Sequence, residues 1–536
     1  MRASDLSLRD KVLQTVVLRL NSGRESTIKN AGAAFFFGEI ITEADEGGLE
    51  QAKATLKKYT DECTIPMLVT SDFENGCGSM LKGLTALPYM MSLGATNSEE
   101  NAYNYGKTTA LEARSVGANW SLSPVCDLNL NRRNPLVNVR GLTDDPDLAV
   151  RLLKQVVRGM QENGLAACAK HFPGDGVDYR DQHCVTTNNT LSWEDWKRLS
   201  GRVFQELIDD GVYSVMPGHI TLPAYQKERH ANGMCLPATL SYELITKLLK
   251  GEMGFEGVVV TDAMDMGGFN GWYKDLETTE IESFKAGCDM MLWPSDKYVD
   301  NMVQAVENGY VSMERLDDAV NRVLTIKEKL GLFESGNTDV PMTEEDKALV
   351  INTQIETANN SITLVRDKGN FFPLNPEKAK RIAVCAITHY EPARANGQVL
   401  VDELNKRGFD AKLYNFPSFA DIDNSDLVIY ALFSRPFRPR GFIDFWGDEV
   451  TKVHWSMMYG AEKAIFVSFG SPYFSEQYLE RALTYVNAYT MLSCSVEAFA
   501  RAATGEIPFT DFSPVHLATY EEEIAPRADV NLPFRS

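Results

Sequence analysis

At 536 residues the chain is too long for one ordinary hydrophobic core, so two domains are expected, one of them a large barrel. Hydrophobic residues at 44% and charged residues at 24% exclude a disordered or low-complexity protein. A net charge of −21 argues against nucleic acid or an anionic membrane as a partner, since either would repel the chain.

The amino terminus, Met1-Arg2-Ala3-Ser4-Asp5, leads into mixed polar sequence with no apolar signal core and no cleavage pattern. The nine cysteines are scattered, odd in number and never spaced Cys-x-x-Cys, which fits reduced thiols better than a disulfide framework or a zinc site. A cytoplasmic protein is therefore expected. The apolar stretches are strand-sized, so no membrane span is expected either.

Through residue 335 short apolar runs alternate with capped helices, the rhythm of a parallel α/β barrel. Strands are predicted at 33–37, 66–70, 120–123, 165–170, 213–216, 258–261 and 289–292. Asn97 with Glu100 and Ser192 with Asp195 resemble capping boxes, and Asp145 before Pro146 supplies an N-cap and a first-turn proline. From Pro146 the spacing Leu148, Leu152, Val156, Met160 makes one apolar stripe that ends near Gly164. The polar stretch 334–339 reads as a linker, giving a barrel domain over 1–335, a linker over 336–350 and a second domain over 351–536. In that second domain a helix over 343–360 leads in. Strands at 382–387, 412–414, 427–433 and 464–469 predict a smaller α/β sandwich. There is no tandem repeat.

The segment Lys170-His171-Phe172-Pro173-Gly174-Asp175-Gly176, followed by Asp181-Gln182-His183, gathers two histidines, two carboxylates and a lysine around a glycine-rich turn. The apolar run before it places Lys170 and His171 at a strand's carboxyl end, where α/β barrels carry their chemistry. In Asp181-x-His183 a carboxylate can hold the imidazole in one tautomer and stabilise its protonated form, as a general acid and base requires. The alternative is a loop histidine satisfied by a neighbouring aspartate.

Three further carboxylates end apolar runs: Asp72, Asp127 and Asp262. Any of them can be a helix N-cap, and for Asp127 that reading is preferred. The turn after Asp262, with Met264, Met266, Gly267 and Gly268, is sparsely charged and suits an exposed nucleophile equally well.

Taken together, these residues resemble glycoside hydrolase family 3, in particular its β-N-acetylglucosaminidase branch. The resemblance rests on KHFPGDGVDYRDQH at 170–183, GFEGVVVTDAMDM at 254–266, AGCDMMLWPSD at 286–296 and MPGHI at 216–220. The second half adds ANNSITLVRDKGNFFPL at 358–374 and SFGSPY at 468–473. It implies a (β/α)8-type barrel followed by a smaller α/β sandwich domain. By the resemblance Asp262 matches the nucleophile and His183 the general acid and base, with Asp181 its partner. Asp72, Arg140, Lys170 and His171 match sugar-binding positions. Lys170 and Arg140 can donate to hydroxyls and Asp72 can accept from them, although each could instead belong to a barrel-mouth salt bridge. Trp293, ending the last barrel strand, is assigned a structural role.

The activity implied is that of a retaining exo-β-N-acetylhexosaminidase acting on muropeptides or chitin-derived oligosaccharides, with a small carbohydrate as its partner and no metal or cofactor. Because this branch uses a histidine, the second domain need not donate a catalytic residue. The alternatives are a family 3 glycosidase for another sugar, a phosphorylase, a metal-dependent barrel hydrolase using His171, His183 and Asp262, and an inactive sugar-binding protein. Two departures stand out. Asp175 replaces a common histidine, and Met80 stands where the pattern has a sugar-binding arginine, with Lys82 the nearest substitute.

Overall fold

The computed structural model describes residues 1–20, 29–35, 48–336, 338–436 and 443–517. Eight short parallel strands run around a ring: β1 (Val16–Arg19), β2 (Ala33–Phe35), β3 (Leu68–Ser71), β4 (Trp120–Ser121), β5 (Cys168–Phe172), β6 (Ser214–Pro217), β7 (Val258–Val259) and β8 (Met291–Leu292). Ladders join β8–β1–β2–β3–β4 and β5–β6–β7. Single bridges close the two gaps, Trp120 with Ala166 and Val260 with Met290. Residues 36 and 37, expected at the end of β2, lie outside the described residues. β1 was not expected. The helix Leu8–Leu13 before it contributes Val12 and Leu13, which merge with Val16-Val17-Leu18 into one apolar run and hide both periods.

The strands alternate strictly between two cores, as the pleat requires. Val17, Phe35, Leu68, Trp120, Cys168, Met216 and Val258 fill the barrel. Their neighbours Val16, Leu18, Ala34, Val69, Ala167, Val215 and Val259 face the surrounding helices. Trp120 is fully buried in the interior, where its Nε1–H donates to Ser214 Oγ at 2.9 Å.

The predicted stripe Leu148, Leu152, Val156 and Met160 is buried on the helix Pro146–Gln161, which Asp145 caps. This helix crosses Glu99–Ser115 at close range. A Cβ at Gly106 would lie 2.1 Å from the Val156 carbonyl oxygen, and one at Gly159 would lie 2.2 Å from that of Tyr103. Asn97 is not an N-cap. It closes the preceding helix in the left-handed region, and Ser98 caps the next by accepting from Asn101 N–H.

The second half is a six-stranded sheet in the order β9–β14–β13–β12–β10–β11, comprising β9 (Thr363–Asp367), β10 (Arg381–Ile387), β11 (Asp410–Tyr414), β12 (Leu427–Phe433), β13 (Ala464–Phe469) and β14 (Thr484–Asn487). All pairs are parallel except β9 with β14. The edge strand β9 and its partner β14 escaped the sequence reading because both mix polar with apolar residues.

The helix Glu344–Asn359 begins inside the stretch expected as linker and packs against both Glu99–Ser115 of the barrel and Ser493–Ala503 of the second half. The two halves are further joined by the Arg132–Glu476 ion pair, by Asn138 Nδ2 donating to Ser471 Oγ at 3.2 Å, and by His516 N–H donating to Asp144 Oδ2 at 2.7 Å. Met91, Val139, Tyr473 and Tyr489 form an apolar cluster across this seam. The second half thus braces the turn Asn138–Arg140 at the barrel mouth. Among the described residues no helix is long and apolar enough to cross a membrane.

Candidate active site

The carboxyl ends of the barrel strands bring the expected residues together. Asp72 and Glu74 follow β3, Lys170 and His171 are the third and fourth residues of β5, and Asp181 to His183 lie on the loop after it. Asp262 follows β7, and Arg140 ends the short turn that begins at Asn138.

One side of the mouth is a cluster of fixed charges. Lys170 Nζ lies 2.8 Å from Asp72 Oδ1 and 2.8 Å from Glu74 Oε1. Arg140 grips Glu74 with both Nε and Nη2, each at 2.7 Å. Burial pushes the Glu74 carboxyl up, but Arg140 and Lys170 outweigh it and hold it well below the usual carboxylate range. Burial pulls the Lys170 and Arg140 cations down, and their carboxylates more than reverse this and hold both above their ordinary values. The barrel-mouth salt bridges weighed in the sequence therefore exist. Three of the four, Asp72, Glu74 and Arg140, also line one cavity.

The other side is built of histidines and aspartates. His171 Nδ1 lies 2.7 Å from Asp127 Oδ2, and the His171 N–H donates to the same carboxylate at 3.1 Å. This fixes the ring with Nε2 toward Asp262, whose Oδ2 is 3.9 Å away. Asp127 is consequently not a helix N-cap; it is the group that orients His171. Asp262 accepts one hydrogen bond, from Ala263 N–H at 2.8 Å. Burial raises its carboxyl, but His171, His219 and His183 together with that N–H leave it below its ordinary value, as suits an ionised nucleophile.

His183 Nδ1 meets Asp181 Oδ1 at 2.8 Å, and the same oxygen accepts His183 N–H at 2.8 Å. Nε2 is turned away from that carboxylate, the orientation a general acid and base requires. His219, from the MPGHI segment, is fully buried between Thr239 Oγ1 at 2.9 Å and the Ala263 carbonyl at 3.1 Å, and burial pulls its imidazole down. Behind the site Asp175 is 2% exposed. Burial and the facing Asp127 push its carboxyl up to about 7 against the opposing His171, Gly176 and Asn134.

Met80 lines a cavity of about 200 Å³ with Asp72, Glu74, Tyr89, Arg140 and, from the second half, Pro436. Lys82 is exposed and lies outside that lining, so it does not fill the place of the missing arginine. Trp293 packs edge-on against Phe35 at 5.0 Å with the Arg19 guanidinium 4.9 Å over its ring, consistent with a structural role. Among the described residues no group of three His, Cys, Asp or Glu side chains is arranged to hold a metal ion.

Sequence reasoning gave no role to Glu74, Gln182 or His219, and noticed Asp175 only as a departure from the family pattern. Charge counting was a usable signal for Glu74: a buried Lys170 and a part-buried Arg140 at one barrel mouth need more than Asp72 to balance them. The other three sit behind the reacting groups, and no periodicity marks such positions.

Residues 7–326 match the Glycosyl hydrolase family 3 N terminal domain. The chain is 32% identical over 497 residues to the β-N-acetylglucosaminidase/β-glucosidase of Cellulomonas fimi, covering 87% of this chain and 86% of the relative. Two solved structures superpose over nearly all of it. A β-glucoside phosphorylase, BglX, bound to 2FGlc, gives a TM-score of 0.84 at 28% identity, covering 96% of this chain and 95% of the other. A family 3 β-N-acetylglucosaminidase from Paenibacillus sp. str. FPU-7 gives 0.79 at 28% identity, covering 96% and 99%. With the barrel, the charged pocket and these likenesses in hand, the chain belongs to glycosyl hydrolase family 3.

Proposed function

We propose that this protein is a retaining exo-β-N-acetylhexosaminidase that releases terminal β-linked N-acetylglucosamine through a glycosyl-enzyme on Asp262. The carrying observation is the division of labour between two groups at one barrel end. Asp262 is held below its usual pKa with one hydrogen bond, and His183 is backed by Asp181 at 2.8 Å. Retaining hydrolysis needs such a pair: one group ionised to attack the anomeric carbon, and one exchanging a proton first with the leaving oxygen and then with water. Asp72, Arg140, Lys170 and His171 hold the sugar hydroxyls. The relative from Cellulomonas fimi and the Paenibacillus structure both support an N-acetylated substrate.

Residues 1–335 form the catalytic unit on this reading. Among the described residues of the second domain, 351–536, several brace it and Pro436 enters the pocket wall, but none is given a reacting role. Muropeptide fragments or chitin-derived oligosaccharides in the cytoplasm are the substrates proposed.

A second reading, phosphorolysis, is favoured by the likeness to a β-glucoside phosphorylase. A neutral histidine in the acid/base role repels phosphate less than a carboxylate would. A panel of nitrophenyl glycosides, assayed with and without chelator and with and without phosphate, separates the readings. Turnover of the N-acetyl-β-glucosaminide that ignores both additions supports hydrolysis. Formation of a sugar 1-phosphate supports the second reading, loss of activity on chelation supports a metal mechanism, and no turnover of any glycoside overturns all three.

A further inference from the structure

We propose that Asp175 is a positioning residue for the acid/base loop: through Gln182 it fixes the segment carrying Asp181 and His183 against the Asp127–His171 pair. The inference rests on the role given above to His183. Asp175 N–H donates to Asp127 Oδ1 at 2.7 Å, on the carboxylate that also grips His171. The Asp175 carboxylate in turn receives three donors. Asn134 Nδ2 and Gly176 N–H reach Oδ1, each at 2.7 Å, and Gln182 Nε2 reaches Oδ2 at 3.2 Å.

Gln182 lies between the two members of the acid/base pair and is 1% exposed. Its Oε1 accepts His219 N–H at 2.8 Å, and its carbonyl accepts Gly268 N–H at 3.2 Å. The His183 carbonyl accepts Gly267 N–H at 2.7 Å. The loop is thus pinned on one side to the segment that follows Asp262 and on the other to Asp175.

The polarity of this chain of bonds is forced. His219 N–H can only donate, so Gln182 must turn its oxygen toward it and its amide nitrogen toward Asp175. Only an acceptor at Asp175 completes the network, and a buried network with one donor unanswered is worse than none. Asp175 is one contact behind His171 and one contact behind His183, so it acts on the chemistry through them. A histidine in its place, the more common residue in the family pattern, could not accept all three donors.

The test uses the leaving group as its readout. Asp175→Asn sets amide against amide at Gln182, and turning Gln182 over moves the conflict to His219. Gln182→Leu breaks the same link from the other side. Each variant should form the glycosyl-enzyme from dinitrophenyl N-acetyl-β-glucosaminide within about twofold of wild type. Each should lose about tenfold both in attack on a poor leaving group and in hydrolysis of the intermediate. The double variant Asp175→Asn/Gln182→Glu reverses the polarity of the link while leaving an acceptor for His219 N–H, and should recover most of the loss.

Equal losses on both leaving groups, no loss, or a folded double variant no better than the single ones would each overturn the proposal. His183→Ala is the reference. If it shows no leaving-group dependence, its assigned role falls and the inference with it; if it does and the Asp175 and Gln182 variants do not, only the inference falls. Should Asp175→Asn fail to fold, Gln182→Leu carries the same comparison.

Discussion

The two sides of the pocket solve opposite electrostatic problems with the same kinds of residue. On the side of Asp72, Glu74, Arg140 and Lys170, every charge faces an opposite charge within 2.8 Å, and the cations are held above their ordinary pKa values. On the side of Asp262, His171 and His183, carboxylates face imidazoles, and the Asp262–His171 contact is relaxed to 3.9 Å. The first side is a set of fixed charges, which on the proposed function would hold the sugar hydroxyls. The second pairs an Asp262 carboxyl held below its ordinary value with two imidazoles, each oriented by its own aspartate. On the proposed function, binding and chemistry are thereby separated across one barrel mouth.

The sharpest way to break the comparison is at its reactive end. Asp262→Asn should fold normally, because the amide keeps an oxygen to accept from Ala263 N–H and loses no contact with His171 closer than 3.9 Å, yet lose several orders of magnitude in kcat. Retention of more than about a tenth of the activity, a loss under ~1.4 kcal/mol, would falsify its role. His183→Ala should lose less with activated substrates. It should form the glycosyl-enzyme from a dinitrophenyl glycoside almost as fast as wild type and then stall, while poor leaving groups barely react. Equal losses in pre-steady-state assays of both substrates count against it.

The binding side should fail differently. Glu74→Gln takes the nearest carboxylate from Arg140 and one of two from the buried Lys170, leaving Asp72 and Asp127 to balance both, so it should cost stability, about 3 kcal/mol, and raise KM. An unchanged melting temperature would show that the cluster is slack. Met80→Arg should sharpen discrimination between the gluco and galacto forms of the N-acetylated sugar by tens of fold, since a charged donor to a hydroxyl contributes ~1.5–3 kcal/mol. Wild-type preference above about a thousandfold in kcat/KM would mean that another group already does this work.

The smallest effect is on stability against pH at Asp175. Its folded pKa, about 7, lies above that of an unfolded carboxyl, so the folded state binds the extra proton between roughly pH 4 and pH 7. This stabilisation is fully present at the acid end and is lost as pH rises through 7. Asp175→Asn should remove that loss, so its melting temperature relative to wild type should climb by a few degrees, roughly, between pH 5 and pH 8. A pH-independent difference would place the ordinary value on Asp175.

Much of the site was legible because its chemistry is carried by local strings. Asp181-Gln182-His183 contains its own dyad, and Asp72, Lys170 and Asp262 each close an apolar run that a barrel places at its mouth. Arg140 was reached by family resemblance alone, since its turn has no signal of its own. Asp127 was misread as a cap because a carboxylate after an apolar run looks the same in either role; the difference lies in His171, 44 positions away in sequence. Asp175 was noticed as a departure, but its three donors come from Asn134, Gly176 and Gln182, a convergence made by folding. In the fold, the long apolar strands of the second sheet were plain, whereas β1 was hidden by the helix before it and β14 by its polar ends.

The central claim is that the reaction passes through a covalent intermediate on Asp262. The most direct test is to quench His183→Ala during reaction with dinitrophenyl N-acetyl-β-glucosaminide, measure the intact mass, digest the protein and sequence the modified peptide. The account predicts one N-acetylhexosaminyl group per chain, in near-stoichiometric yield, attached to the Asp262 side chain. An adduct elsewhere, or turnover of the same substrate with no adduct accumulating, would contradict it.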